Sequence, residues 1–201
     1  HLLKLILNKK YNPLFESDCR YFIITGGRGS GKSYAATVFL TLLTMTKGIR
    51  ILFTRYTMTS AHLSIIPEFL EKIGLLGFED VFSINKAEVL NTSNQSDILF
   101  RGIRTSAGNQ TASLKSLQGI STWVLDEAEE LIDENIFDTI DLSIREKDIQ
   151  NRIILILNPV TKEHWIYDRF FESKGVEGGF NGVRGNVCYI HSTYLDNKDN
   201  L

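Results

Sequence analysis

The stretch "YFIITGGRGSGKSYAAT", residues 21–37, decides how this chain is read. Five β-favouring residues lead into a glycine-rich turn, and apolar residues at helical spacing follow. Gly26, Gly31, Lys32 and Ser33 satisfy the pattern GxxxxGK[ST]. Each residue type has a physical task. Glycine lets the backbone curl so that its N–H groups point at phosphate oxygens. The helix opening near Lys32 adds the positive end of its dipole. Lys32 reaches the β- and γ-phosphates as a point charge, and the Ser33 hydroxyl suits Mg²⁺. The candidate nucleotide-binding set is therefore Gly26, Gly27, Arg28, Gly29, Ser30, Gly31, Lys32 and Ser33. Arg28 is unusual inside such a loop. Its guanidinium either swings toward the γ-phosphate or faces solvent as an ordinary loop arginine.

Working outward, "STWVLDEAEEL" (121–131) is an apolar run closing on two acids. Asp126 at the carboxyl end of a buried strand can hold Mg²⁺ through water, and Glu127 can orient and activate an attacking water. Ligands of open α/β sheets sit at the carboxyl ends of the strands, so this pair is expected to face the phosphate loop. Glu129 and Glu130 are assigned to the first turn of the next helix, where acids suit the dipole. A guanine-specific switch would carry NKxD late in the chain. The "NKAE" at 85–88 comes before the acidic pair and ends in Glu, so ATP is the expected nucleotide.

Five short, nearly continuous apolar runs mark buried strands: "YFIIT" (21–25), "RILFTR" (50–55), "STWVLD" (121–126), "RIILIL" (152–157) and "NVCYIH" (186–191). Such runs suit parallel strands covered on both faces. Helical patterns lie between them. One starts at Lys32 and stops at Gly48, and another runs from Ser60 as N-cap to Gly74. "DENIFDTIDLSIRE" and "KEHWIYDRFFESKG" follow the third and fourth runs. Between about 81 and 111 the alternation breaks. "AEVLN" and "DILFRG" flanking "TSNQS" predict an antiparallel hairpin added at the sheet edge, and "IRTSAGNQTASLKS" reads as a polar loop. The fold class that follows is α/β: a P-loop NTPase of the ASCE/RecA-like type, with a mainly parallel sheet flanked by helices. The expected divisions are an N-terminal segment over 1–20, an ATPase domain over 21–195, and the start of a linker over 196–201.

The 201 residues, 43% hydrophobic and 23% charged, suit one domain with a sizeable core. A net charge of -2 argues against a protein that coats nucleic acid nonspecifically. Cys19 and Cys188 lack a CxxC partner or a histidine at ligand spacing and read as two reduced thiols in a cytosolic protein. The four histidines form no metal motif. No apolar run reaches membrane-spanning length, so no membrane is expected. The first residue is not Met, and "TYLDNKDNL" at the end is polar, so the chain reads as cut from something longer.

"NPLFESDCRYFIITGGRGSGKSYAAT", "LKSLQGISTWVLDEAEEL", "LILNP" and "HSTYLDN" together resemble the large terminase subunit of tailed double-stranded DNA phages, over roughly 12–197. The resemblance implies an ATP-driven motor that pumps double-stranded DNA into a preformed capsid. It implies a portal protein and a small terminase subunit as partners, self-association into a ring, and work in the cytoplasm of the infected bacterium. Family members carry a nuclease domain after the ATPase, and this sequence shows no later acids that would form one. The resemblance assigns Lys32 and Ser33 to phosphate and Mg²⁺, Asp126 to Mg²⁺, Glu127 to catalysis, and Arg28 to the loop arginine acting in cis. The coupling motif, often a Ser/Thr-rich run, is here Asn158-Pro159. Asn158 is thus a candidate γ-phosphate sensor, and a simple turn is the alternative. A ring motor also takes a basic residue from the neighbouring subunit. Lys115 is the first candidate and Arg145 the second. The region from Tyr11 to Phe15 is a candidate for adenine contacts, with core packing of Phe15 as the alternative. Arg101 and Arg104 are candidate DNA contacts. Two other readings remain at this stage: a helicase-like or repair translocase, and a module that binds ATP to hold an assembly together without turnover.

Overall fold

A computed structural model describes residues 7–58 and 63–200, with side chains as far as 197. The expected N-cap Ser60 lies outside the described residues. Ten strands form one sheet: β1 (Tyr21–Thr25), β2 (Arg50–Thr57), β3 (Phe82–Ile84), β4 (Glu88–Asn91), β5 (Asp97–Thr105), β6 (Gly108–Asn109), β7 (Thr122–Asp126), β8 (Arg152–Leu157), β9 (Gly182–Arg184) and β10 (Val187–His191). Their order is β3-β4-β5-β2-β7-β8-β1-β10-β9, with β6 paired to β5. The central six in this order, from β5 across to β10, run parallel. All five apolar runs are among them, because side chains on both faces of these strands are buried. The helices are α1 (Pro13–Glu16), α2 (Lys32–Leu43), α3 (Ile66–Leu76), α4 (Thr111–Lys115), α5 (Glu134–Asp141) and α6 (Trp165–Tyr167). A π-helical turn, Asp168–Glu172, continues α6.

Two cores result, one on each face. Phe22, Ile24, Phe53, Val124 and Ile154 pack with α2 and α3 on one side. Ile23, Leu52, Trp123, Leu125 and Leu155 pack with α4, α5 and the Trp165–Phe171 region on the other. This is the α/β sandwich expected for a P-loop NTPase. β8 lies between β1, which carries the phosphate loop, and β7, which ends on the acidic pair.

Several local expectations need correcting. The antiparallel hairpin forms as β4 and β5, but "DILFRG" is not an addition at the sheet edge. It belongs to β5, which pairs parallel with β2, and β3, β4 and β6 are the antiparallel additions on that side. The reason is burial on both faces, since Asp97, Ile98, Leu99 and Phe100 are all buried. A second antiparallel addition, β9 on β10, closes the other edge. The polar stretch after β5 holds β6 and α4 rather than a plain loop. α2 ends at Leu43 and not at Gly48, and α3 ends at the left-handed Gly77 and not at Gly74. Glu129 and Glu130 lie in a 3-10 turn ahead of α5, whose first residue is Glu134 and whose N-cap is Asp133.

Candidate nucleotide site

β1 delivers the loop 26–31 to the carboxyl edge of the sheet, and α2 begins directly after Gly31. Gly29 and Gly31 have φ of +72° and +85°, a left-handed backbone open to glycine at little cost. At Gly26 the constraint is space: a Cβ there would run into the Ser192 carbonyl oxygen and lie 2.7 Å from Ser30 Oγ. Lys32 folds over the loop, donating from Nζ to the carbonyls of Gly26 (2.5 Å) and Gly27 (2.8 Å) and to Ser30 Oγ (3.3 Å). Burial pulls its pKa below that of an ordinary lysine, and the charges of Glu129 and Asp126 oppose the shift.

The acidic side arrives on β7. Asp126 is buried, and both its oxygens are engaged. Oδ1 accepts from the backbone N–H of Glu127 at 3.0 Å. Oδ2 accepts from Arg55 Nε at 2.9 Å and from Arg55 Nη2 at 2.8 Å. Glu127 is left-handed, with φ +51° and ψ 47°, a conformation that costs a non-glycine residue about 1 kcal/mol. Its side chain is exposed at the cleft.

A cleft of about 510 Å³ joins the two sides and is lined by Arg28 to Tyr34, Arg55, Asp126, Glu127, Glu129, Glu130, Asn158 and Asn197, among others. Lys32, Ser33, Arg28, Asp126, Glu127 and Asn158 are thus brought together. Asn158 leaves the end of β8 between the two sides. Its Oδ1 lies 3.5 Å from Lys32 Nζ, and its Nδ2 donates to Glu129 Oε1 at 2.9 Å. Glu129 Oε2 is buried with no hydrogen-bond partner.

Other expected residues lie elsewhere. Lys115 is exposed at the end of α4, and Arg145 is exposed in the connection from α5 to the amino end of β8. Neither lines the cleft. Arg101 and Arg104 are on β5, beside Thr54 and Thr57 of β2. Tyr11 is buried and works on the loop: its hydroxyl lies 2.6 Å from Ser192 Oγ and donates to the Ser30 carbonyl at 3.3 Å. Phe15 is 47% exposed, with its ring edge-on to Phe39 of α2.

Sequence reasoning missed Arg55, Glu129 and Asn197. Arg55 was readable only as the last residue of a strand run. The pairing that gives it meaning is with Asp126, 71 positions away. Cys19 and Cys188 are buried free thiols, and burial pushes the Cys188 pKa up to about 11.

Residues 18–199 match the family "Phage terminase large subunit". The chain belongs to that family. The large terminase subunit of Bacillus phage SPP1 is 24% identical over 214 residues, covering 96% of this chain and 47% of the relative. The chain therefore spans about half the length of that curated family member. Among solved structures, a large terminase from a thermophilic bacteriophage superposes with a TM-score of 0.72 at 11% identity, covering 96% of this chain and 47% of that one. The same terminase in complex with ATP-gamma-S gives 0.67 at 12% identity, covering 96% of this chain and 46% of that one. The N-terminal domain of the DNA packaging ATPase from bacteriophage phi29 gives 0.67 at 17% identity, covering 92% of this chain and 96% of that domain.

Proposed function

We propose that this chain is the ATPase part of a viral DNA-packaging motor, hydrolysing ATP to move double-stranded DNA into a procapsid. The observation that carries the reading is one cleft in which Lys32 and Ser33 meet Asp126 and Glu127 at the carboxyl ends of β1 and β7. The family match, and the names of relatives that bind an ATP analogue or package DNA, support it. Among the described residues no helix is long and apolar enough to cross a membrane.

The residues present fit a magnesium ion in company with phosphates. Ser33 and Asp126 both line the cleft, and both are hard oxygen donors. These two would hold Mg²⁺, which lends the transferring phosphoryl group charge neutralisation. A triphosphate in the loop offers Lys32 stronger acceptors than the carbonyls of Gly26 and Gly27, so its ammonium turns to the β- and γ-phosphates. Arg28, exposed in the loop, would meet the γ-phosphate. Glu127 takes a proton from the attacking water. The water oxygen bonds to the γ-phosphorus while the bond to the β–γ bridging oxygen breaks, and ADP leaves with that electron pair. Asn158 touches both Lys32 and Glu129 and is placed to feel the γ-phosphate come and go.

The motor reading brings a portal protein, a small terminase subunit, a ring of copies and the cytoplasm of the infected bacterium with it. In that ring Lys115 or Arg145 would serve a neighbour's cleft. The test is ATP turnover with double-stranded DNA present. Glu127→Gln is expected to lose about 100-fold or more in kcat while still binding ATP. Unimpaired turnover in that variant would remove the catalytic assignment. Tight ATP binding with no turnover in the assembled complex would mark an assembly module instead.

A further inference from the structure

We infer that Arg55 is a positioning residue for hydrolysis, offsetting the charge of Asp126 and setting the direction of Glu127. The inference rests on the ATPase reading of the cleft. Arg55 stands on β2 next to β7, and the register between the two strands is pinned from one residue earlier. Thr54 is fully buried. Its Oγ1 donates to the Val124 carbonyl at 2.9 Å and accepts from Trp123 Nε1 at 2.9 Å. Arg55, the next residue on β2, delivers its guanidinium to the end of β7. There Nε and Nη2 both reach Asp126 Oδ2, at 2.9 and 2.8 Å. The Arg55 and Asp126 side chains are 18% and 7% exposed, so the pair is shielded from water and its geometry is firm.

Two consequences follow. With Oδ2 held, the carboxylate turns its other oxygen to the Glu127 N–H at 3.0 Å. That bond braces the left-handed backbone on which the Glu127 side chain depends for its direction. The chain of contacts runs from guanidinium to carboxylate to peptide N–H to catalytic side chain. Second, Arg55 cancels the charge of Asp126. A divalent cation gains little from a neutralised carboxylate plus a serine hydroxyl, so the metal enters with the phosphates and not before them. Lysine cannot replace this function, because it lacks the planar fork that holds one oxygen with two donors.

The experiment compares the chain with Arg55→Lys and Arg55→Gln by two readouts: steady-state ATP turnover, and Mn²⁺ binding without nucleotide followed by electron paramagnetic resonance. Arg55→Lys is expected to lower kcat about tenfold or more while KM for ATP stays within about threefold, as misplacement of a reacting group does. Arg55→Gln is expected to bind Mn²⁺ at least about tenfold more tightly than the parent chain, because the positive charge that offsets the Asp126 carboxylate is gone. Unchanged kcat in Arg55→Lys overturns the proposal, and so does a loss carried entirely by KM. Unchanged Mn²⁺ affinity in Arg55→Gln also overturns it. If Arg55→Gln does not fold, the kcat and KM of Arg55→Lys decide alone. If the parent chain never turns over ATP, the ATPase reading falls, and the Mn²⁺ comparison still decides whether Arg55 offsets the charge of Asp126.

Discussion

At the scale of single residues, space and solvation separate neighbours that look equivalent in the sequence. Gly26 and Gly27 are both loop glycines. A side chain at Gly27 meets nothing within 4 Å, whereas one at Gly26 meets Ser192 and Ser30. Gly26→Ala should weaken binding of a fluorescent ATP analogue about tenfold or more and cost about 1–3 kcal/mol of stability through overpacking. Gly27→Ala should leave the melting temperature unchanged. Equal effects from the two would mean that the loop relaxes freely. Asp97 shows the other determinant. Burial and the nearby Glu88 push its pKa up to about 6, against the pull of Arg50, whose Nε lies 3.3 Å away. A carboxyl with a folded pKa above its unfolded value near 3.9 takes up a proton on folding. Its stabilising contribution is present below about pH 4 and is lost as pH rises through about 6. Relative to Asp97→Asn, the parent chain should therefore lose on the order of 1–2 kcal/mol between pH 4 and 7, after allowance for solvent screening. Urea titrations of both chains at the two pH values measure this directly.

At the scale of elements, what was legible depended on whether the deciding contact was local. The five strand runs could be read because burial on both faces writes itself into consecutive residues. The phosphate loop and the acidic pair could be read because their chemistry needs fixed residue types at fixed spacing. The end of α2 could not. The carbonyls just past its end are captured from the β4–β5 connection: Asn91 and Asn94 both donate to the Thr44 carbonyl, and Ser96 donates to that of Thr46. These partners lie 47 to 50 positions on, so Gly48 looked like the better stop. Two glycines competed at the end of α3, and only Gly77 takes the left-handed turn that lets the Phe78 N–H reach the Ile73 carbonyl. The fixing of α5 was equally hidden. Asp141 accepts from Arg20 at 2.8 Å and from the Tyr21 hydroxyl at 2.7 Å, and Arg169 Nη2 lies 3.6 Å away. This buried hub ties α5 to the amino end of β1 and to the π-helical turn. Asp141→Ala takes the carboxylate from Arg20 and Tyr21, while Arg169 keeps Asp138 and Glu134, and should cost about 1–3 kcal/mol in a denaturant melt. The hub sits at the opposite end of β1 from the phosphate loop, so KM for ATP should hold in whatever fraction stays folded. A large change in KM would show that the two ends of β1 communicate.

At the scale of the whole molecule, the six parallel strands gather their carboxyl ends on one edge, and the site belongs there by topology. The same edge gathers something the topology does not require, a strap made from both sides of the described chain. Lys10 pairs with Asp196 at 2.9 Å, and Asn8 Nδ2 donates to the Asp196 carbonyl at 2.9 Å. Asp196 Oδ2 also accepts from the Thr193 N–H at 2.8 Å, and the Lys10 bond holds its carboxyl below the usual range. Next to it Asn197 Nδ2 donates to the Gly29 carbonyl at 3.1 Å. The polar tail expected to begin a linker is thus bonded to the phosphate loop. Tyr11 and Ser192 support the same loop from below. Lys10 and Asp196 are partly exposed, so the pair itself adds little to global stability. Its effect should be local. Asp196→Ala is expected to leave the melting temperature within about 2 °C of the parent while amide exchange in residues 26–31 quickens several-fold. ATP affinity should fall about two- to fivefold, because a looser loop must be ordered on binding. The effect should fade in the parent chain only in acid below the usual carboxylate range, where Asp196 takes a proton and the strap loses its anion. Exchange rates that match the parent at pH 7 would mean that the loop holds its shape without the strap.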